Sequence, residues 1–352
     1  MFENSILALD IGGFRQRLLI WEPGQDLEDA VKMMMPAPTR ILARRIQRLT
    51  EQGRSIFLTG RVMGGGAVTQ AVRNHLEQGL KVYATPQAAL TLNDRLQVVR
   101  QWGVIIAEES SFKEVPFSLG DINLYGLSAT LSSFEVPLPD HFAVAVTDHG
   151  FHPEGSNRGF RFKYWKDILS KNGKLQDLAF REPPPYLLRM LAVAEALPGA
   201  VLMDTCAAGV RGALLDPRAR ERQEEGLMVV NLGNSHTFAV LIQGESLWGI
   251  YEHHTRLLNQ AKLFSHLARF QIGELTNNEV FADGGHGCAY APGYSLRLQF
   301  SFTVITGPRR RLAHGWPGGI FAAPFGDMTF TGCFGLITAF FESRSNEMMP
   351  KL

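Results

Sequence analysis

Two short stretches hold the residue types that could handle a phosphate. "LALDIGGFRQRLLI" ends an apolar run on Asp10 and follows it with Gly12 and Gly13. "VVNLGNSHTFAVLI" ends another on Asn231 and follows it with Gly233, Asn234 and Ser235. A carboxylate beside a glycine turn can hold hydrated Mg2+, while the bared amides meet phosphate oxygens. The plainer reading is a pair of β-hairpins whose glycines permit unusual turns. Arg15 and Gln16 follow the first turn and are expected to contact phosphate. Asn231 carries no charge for a cation, and Thr237 is expected at the start of the second return strand.

Two further stretches suit metal or proton chemistry. "HFAVAVTDHG" ends on Asp148-His149-Gly150, and "ADGGHGC" places Asp283 and His286 in a glycine loop. Asp and His are common ligands and proton carriers, so Asp148, His149, Asp283 and His286 are the expected metal set, with Asp10 serving Mg2+. Two unrelated turns would give the same letters. Asp148 and Asp10 are the expected catalytic carboxylates, Asp148 as a general base or a water-positioning group. Gly64-Gly65-Gly66 opens a helix but lacks the Gly-Lys-Ser/Thr ending of a Walker A loop, and reads first as a packing turn.

The elements that must position these residues follow from apolar periodicity. The opening stretch reads as strand, glycine turn, strand. Residues 39–52 are expected to be helical, "SIFLTG" a buried strand, and the triple glycine the start of another helix. Residues 151–177 are polar and aromatic, expected as loop with a short helix. "REPPPYLLRMLAVAEALPG" is a proline-led helix, and "AVLMDTCAAGVRGALLD" is strand, turn and small-residue helix. "PRARERQEEG" is the expected linker. The second half then repeats strand, glycine turn, strand, and closes on "GDMTFTGCFGLITAFF", a small-residue helix.

Composition narrows the function classes. Thirty-five basic and 34 acidic residues balance to +1, so nucleic acid and anionic membranes are not expected partners. No run reaches the ~18–20 apolar residues of a membrane span. The first residues lack the pattern of a secretion signal. Three scattered cysteines, Cys206, Cys288 and Cys333, argue against a disulfide framework and lead us to expect a reducing cytoplasm.

The order of motifs resembles the actin, heat-shock chaperone and sugar-kinase superfamily. "MDTCAAGVRGALLD" is similar to its first interdomain connecting helix, "FTVITGPRRRL" to its adenosine turn at Gly307, and "GDMTFTGCFGLITAF" to its second connecting helix. The resemblance implies an α/β fold of two actin-like ATPase (ribonuclease H-like) domains, residues 1–217 and 218–352, with an interdomain cleft. It implies ATP and Mg2+ bound by Asp10, Gly12, Gly13, Arg15, Gln16, Asn231, Gly233, Asn234, Thr237 and Gly307, and a catalytic carboxylate near Asp148. That superfamily prefers a hydroxyl residue or lysine where Phe14, Arg15 and Gln16 stand, and a second aspartate where Asn231 stands. Both departures weigh against hydrolysis. The expected function is therefore binding of a nucleotide or other small phosphate-containing ligand, with phosphotransfer as its active form. A non-catalytic binding module and a metal-dependent enzyme are the alternatives, and a homo-oligomer is compatible with all three. "PAPTRILARRI", "LTGRVMGGGA" and "GDMTFTGCFG" also resemble a prokaryotic family labelled as a pyruvate formate-lyase activating enzyme. Such radical chemistry needs clustered cysteines, which this sequence lacks, so no iron–sulfur cluster is expected.

Overall fold

A computed structural model describes residues 4–110, 113–295, 298 and 300–344. The chain opens with β1 (Ile6–Ile11), β2 (Arg15–Trp21) and β3 (Val31–Pro36), paired as an antiparallel meander. An insertion follows. Its β4 (Ile56–Gly60), β5 (Val82–Ala84), β6 (Ile105–Ile106) and β7 (Val115–Leu119) form a separate parallel sheet in the order β6-β5-β4-β7. The chain then returns as β8 (His141–Val146), which pairs in parallel with β1, followed by β9 (Ala179–Phe180) and β10 (Val201–Met203). The first sheet thus runs β3-β2-β1-β8-β10-β9.

The second half repeats the plan. β11 (Leu227–Leu232), β12 (His236–Gln243) and β13 (Ser246–His254) form a meander, and β14 (Gly287–Tyr290) adds antiparallel to β13. β15 (Phe302–Thr306) and β16 (Gly319–Phe321) add on the other side of β11 in parallel, giving β14-β13-β12-β11-β15-β16. In each half a three-stranded meander is extended from its first strand by two parallel strands. This is the ribonuclease H-like domain plan of the actin-like ATPases, present twice.

Two helices, Thr205–Ala213 and Thr331–Glu342, pack on each other between the sheets. Their contact depends on missing side chains: a Cβ on Gly212 would strike the Thr331 carbonyl, and one on Gly335 would strike that of Ala208. Arg211 and Glu342 close the contact with an ion pair. Alternate residues of both opening hairpins face this shared core: Ile6, Ala8 and Leu19 from one half, Leu227, Val229 and Phe238 from the other. The intervening residues face separate outer cores, Leu7, Leu9 and Leu18 on one side, Met228, Val230 and Ala239 on the other.

Two segments are more helical than expected. Residues 151–177 contain the 14-residue helix Asn157–Ser170, because Phe162, Trp165 and Leu169 recur at helical spacing and bury in the shared core. The expected linker is helix Pro217–Gln223, capped by the Asp216 side chain on the Arg218 amide. Among the described residues no helix is long and apolar enough to cross a membrane.

Candidate functional site

The two glycine hairpins have the same backbone. Gly12 donates its N–H to the Arg15 carbonyl at 3.0 Å, and Gly233 donates to the His236 carbonyl at 2.8 Å. A Cβ on Gly233 would lie 2.7 Å from that acceptor, so the turn needs glycine. The hairpin tips approach across the cleft, where a Cβ on Gly13 would sit 3.5 Å from the Ser235 hydroxyl.

Three adjoining cavities of about 290, 100 and 520 Å³ run along this junction and share walls. The smallest lies between the hairpins and is lined by Asp10, Gly12, Gly13, Arg15, Asn231, Gly233 and Asn234. The largest adds Gly307 and Arg310 from the second half. The third adds Asp148 and His149 from the end of β8, together with Gly64, Gly65 and Gly66 of the insertion. The triple glycine is thus both a cavity wall and a packing turn, for a Cβ on Gly65 would strike the Thr91 carbonyl.

Strand alternation corrects two expectations. Gln16 does not face the cleft; its amide donates to the Pro36 carbonyl at 3.1 Å, on the outer side of the sheet. Thr237 is fully buried and its hydroxyl pairs with that of Thr255 at 3.0 Å. In both hairpins the cleft-facing residues are the neighbours, Arg15 and Arg17 in β2 and His236 in β12. Period-2 alternation along the return strands puts Gln16 and Thr237 on the outer face and locates Arg17 and His236 at the cleft.

Asp10 sits at the floor of the cleft. Burial raises its pKa, Arg17 opposes the rise, and Asp204 reinforces it. Arg17 Nη1 approaches Asp10 Oδ2 only at 3.5 Å. Asp10 Oδ1 and Arg17 Nε are buried without a hydrogen-bond partner. Asn231 is loosely held, its amide donating to the Cys206 carbonyl at 3.4 Å. Two buried, half-satisfied charged groups in a cavity wall are exceptional in a folded protein and suit a ligand.

Asp148 has a different role from the expected base. Its Oδ1 accepts the Gly150 N–H at 2.8 Å, and its Oδ2 accepts the Arg189 and Met190 N–H groups at 2.9 and 3.0 Å. It serves as an external cap on helix Leu188–Ala196, whose first amides have no partner within the helix. Burial pushes its pKa up against these bonds. Arg189 then grips Asp121 with two bonds of 2.7 and 2.9 Å and the Thr147 carbonyl at 2.7 Å, tying the insertion to the first sheet.

Behind the cleft lies a buried ion network that no local sequence pattern marks. Arg161 donates to Glu252 at 2.8 and 2.9 Å, to Asp204 at 2.8 Å and to the Asp148 carbonyl at 2.7 Å. Burial works to raise the Glu252 pKa, but Arg161 and His236 outweigh it and hold the carboxyl below its usual range. Arg161 and Glu252 are 91 residues apart, so no local pattern announces the pair.

The expected metal set divides. His149 and His286 meet, with ring centroids 5.5 Å apart, and His236 joins both at 5.1 and 4.9 Å. Asp283 is not with them: its carboxylate binds Lys262 at 2.8 Å and His253 at 3.0 Å. Asp148 is occupied as a helix cap, and Asp10 lies in the neighbouring cavity.

The chain belongs to the family described as "Putative pyruvate format-lyase activating enzyme (DUF1786)", whose model matches residues 63–312. None of the curated proteins matches the sequence. Several solved structures resemble it. The ROK hexokinase from Thermus thermophilus is 11% identical, with 97% of this chain and 100% of that one covered at a TM-score of 0.34. The PilM–PilN type IV pilus biogenesis complex is 12% identical, with 97% and 99% covered at 0.38. The apo pSK41 ParM protein is 12% identical, with 97% and 98% covered at 0.35. The family description implies an iron–sulfur cluster, and the residues do not fit one. Cys206, Cys288 and Cys333 are all buried, on different elements, and among the described residues no possible ligand group contains two of them.

Proposed function

We propose that the chain binds a small phosphate-bearing ligand of the nucleoside polyphosphate class between its two glycine hairpins. One observation carries the reading: Asp10 Oδ1 and Arg17 Nε are buried and unpartnered in the wall of the cleft that both hairpins line. Arg15, Arg17 and Arg310 supply cationic donors for phosphate oxygens, and the glycine turns let a ligand approach the backbone. Gly307, at φ +97° and packed against Leu232 and Asn231, leaves the far cavity open for the rest of the ligand.

Mg2+ keeps most of its waters and is commonly held by one or two carboxylates plus ligand phosphates. Asp10 offers one free oxygen, which fits an ion carried in with the ligand, and such an ion would neutralise phosphate charge. Phosphoryl transfer depends on positioning and charge neutralisation, with a group to orient the nucleophile. Asp148 and Asp204 are spent on helix caps and Arg161. That commitment favours binding over turnover, and so supports a binding or regulatory module on this fold.

Isothermal titration with ATP, with and without Mg2+, tests the reading. Saturable binding that weakens in Asp10→Ala only when Mg2+ is present is the expected result. Absence of binding at millimolar nucleotide under both conditions would overturn it.

A further inference from the structure

The inner end of the cleft contains a group that phosphate binding does not use. His149 follows β8, His236 opens β12 and His286 precedes β14, so three separate elements converge there. One ligand nitrogen from each lies within 4.8 Å of the others. His286 is 1% exposed, yet neither of its ring nitrogens has a hydrogen-bond partner. A neutral imidazole has one donor and one acceptor, and leaving a buried polar atom unmatched costs about 1–3 kcal/mol. A fold that gathers three such rings without giving His286 a partner has a site for something else.

The surroundings say what it is. Burial first, then Arg161, holds His149 and His286 far below the ordinary imidazole range, and burial also lowers His236. Three converging imidazole nitrogens are the ligand type that borderline divalent metals favour. The facing charges are Arg161, Arg158, Asp204 and Glu252, and Arg158 is already bonded to the Gly285 carbonyl at 2.6 Å. Glu252 Oε1 lies 3.8 Å from His236 Nδ1 and accepts from Arg161, while Glu252 Oε2 accepts from Trp165 Nε1 at 3.2 Å. That carboxylate makes no hydrogen bond to the ring at this distance, but its charge favours a cation held beside His236. A rival group, Cys206 with His236 and Glu252, is less suited: Glu252 is committed to Arg161, and burial and Asp204 push the Cys206 thiol well up.

We propose that His149, His236 and His286 bind one borderline divalent transition metal, with Zn2+ as its representative, and that the open coordination position faces the cavity beside the hairpins. Tetrahedral zinc with bonds of about 2.0–2.1 Å needs donor nitrogens about 3.4 Å apart, so the rings, whose nitrogens lie within 4.8 Å, would close in on the ion. His149 and His236 form part of the cavity wall with Gly13 and Ser235, so a water or ligand oxygen can reach a fourth position. Three histidines with one open position is a ligand set of catalytic zinc, whereas structural zinc closes its shell.

Zinc titration of the chelator-stripped full chain, without nucleotide, tests this independently of phosphate binding. One equivalent should bind, and His149→Ala and His286→Ala should each weaken it by about tenfold or more. His314→Ala, an exposed histidine outside the cluster, should leave affinity unchanged. Zinc should also raise the thermal midpoint of the wild type but not of His149→Ala, whose half-buried side chain makes it the safer variant for folding. Failure to bind an equivalent, or equal binding by wild type, His149→Ala and His286→Ala, overturns the proposal.

Discussion

The two hairpins share a backbone and differ in what they present. Asp10, Gly12, Arg15, Gln16 and Arg17 stand at the same positions along the first hairpin as Asn231, Gly233, His236, Thr237 and Phe238 along the second. Each hairpin turns its first and third return-strand residues toward the shared core and cleft, and its second toward an outer core. The first hairpin therefore offers a carboxylate and two arginines. The second offers an amide, an imidazole and a buried Phe238. One half of the cleft is built for ligand charge. The other is neutral at its surface and leans on the Arg161–Glu252 network behind His236. Duplicated backbone geometry need not carry duplicated chemistry, because side-chain identity at alternate positions decides it.

Breaking the support of the second hairpin should have the largest effect. Arg161→Ala would leave Asp204 and Glu252 buried and uncompensated, a loss of about 3–5 kcal/mol. Chemical denaturation should show a much lower midpoint. An unchanged midpoint would mean that the second hairpin stands without its ion network.

Acting on the first hairpin should leave stability nearly intact and weaken the ligand instead. Arg17→Ala removes a half-buried guanidinium bonded only loosely to Asp10. A lost charge-assisted phosphate contact of about 1.5–3 kcal/mol corresponds to roughly 10- to 150-fold in affinity. Titration calorimetry reads the affinity and denaturation the stability. A large stability loss with unchanged affinity would erase the contrast between the hairpins.

The pH dependence sharpens the comparison on the histidine side. His149, His236, His254 and His286 are all held below 6.5 by burial, His254 at about 4. Below pH 6.5 the unfolded chain takes up protons that the folded chain refuses, so stability falls as pH falls from 6.5 toward those lowered values. It is insensitive to these groups above 6.5. Each group contributes up to about 1.4 kcal/mol per pH unit. The denaturation midpoint should drop between pH 7 and pH 5, with a shallower slope in His254→Gln. Identical slopes in the two proteins would contradict this assignment.

Much of this was legible in the chain. Asp10 and Asn231 each close an apolar run before a glycine turn, and the helix around Gly212 is marked by small residues because nothing larger fits against Thr331. The duplication, the two crossing helices and the hairpin residues that line the cavity between them, from Asp10 and Gly12 to Asn231 and Gly233, follow from such local rules. Gln16 and Thr237 were misplaced because residue type outweighed strand alternation, although alternation was readable. Arg161 and Glu252 were not readable, since their partnership exists only once residues 91 positions apart are folded together. The same holds for His236, which reads as an ordinary strand residue until His149 and His286 arrive beside it. Asp148 was found at a strand end, but its capture by the amides of a later helix depends on tertiary placement.

The most direct test of the central claim compares two double variants in one ATP titration series. Arg15→Ala with Arg17→Ala strips the cleft face of the first hairpin. Gln16→Ala with Thr237→Val alters the outward-facing position of both. A ligand held between the hairpins should lose about tenfold or more in affinity with the first and change by less than about twofold with the second. Equal affinities in the two double variants, or a larger loss in the outward-facing pair, would contradict a ligand held between the hairpins.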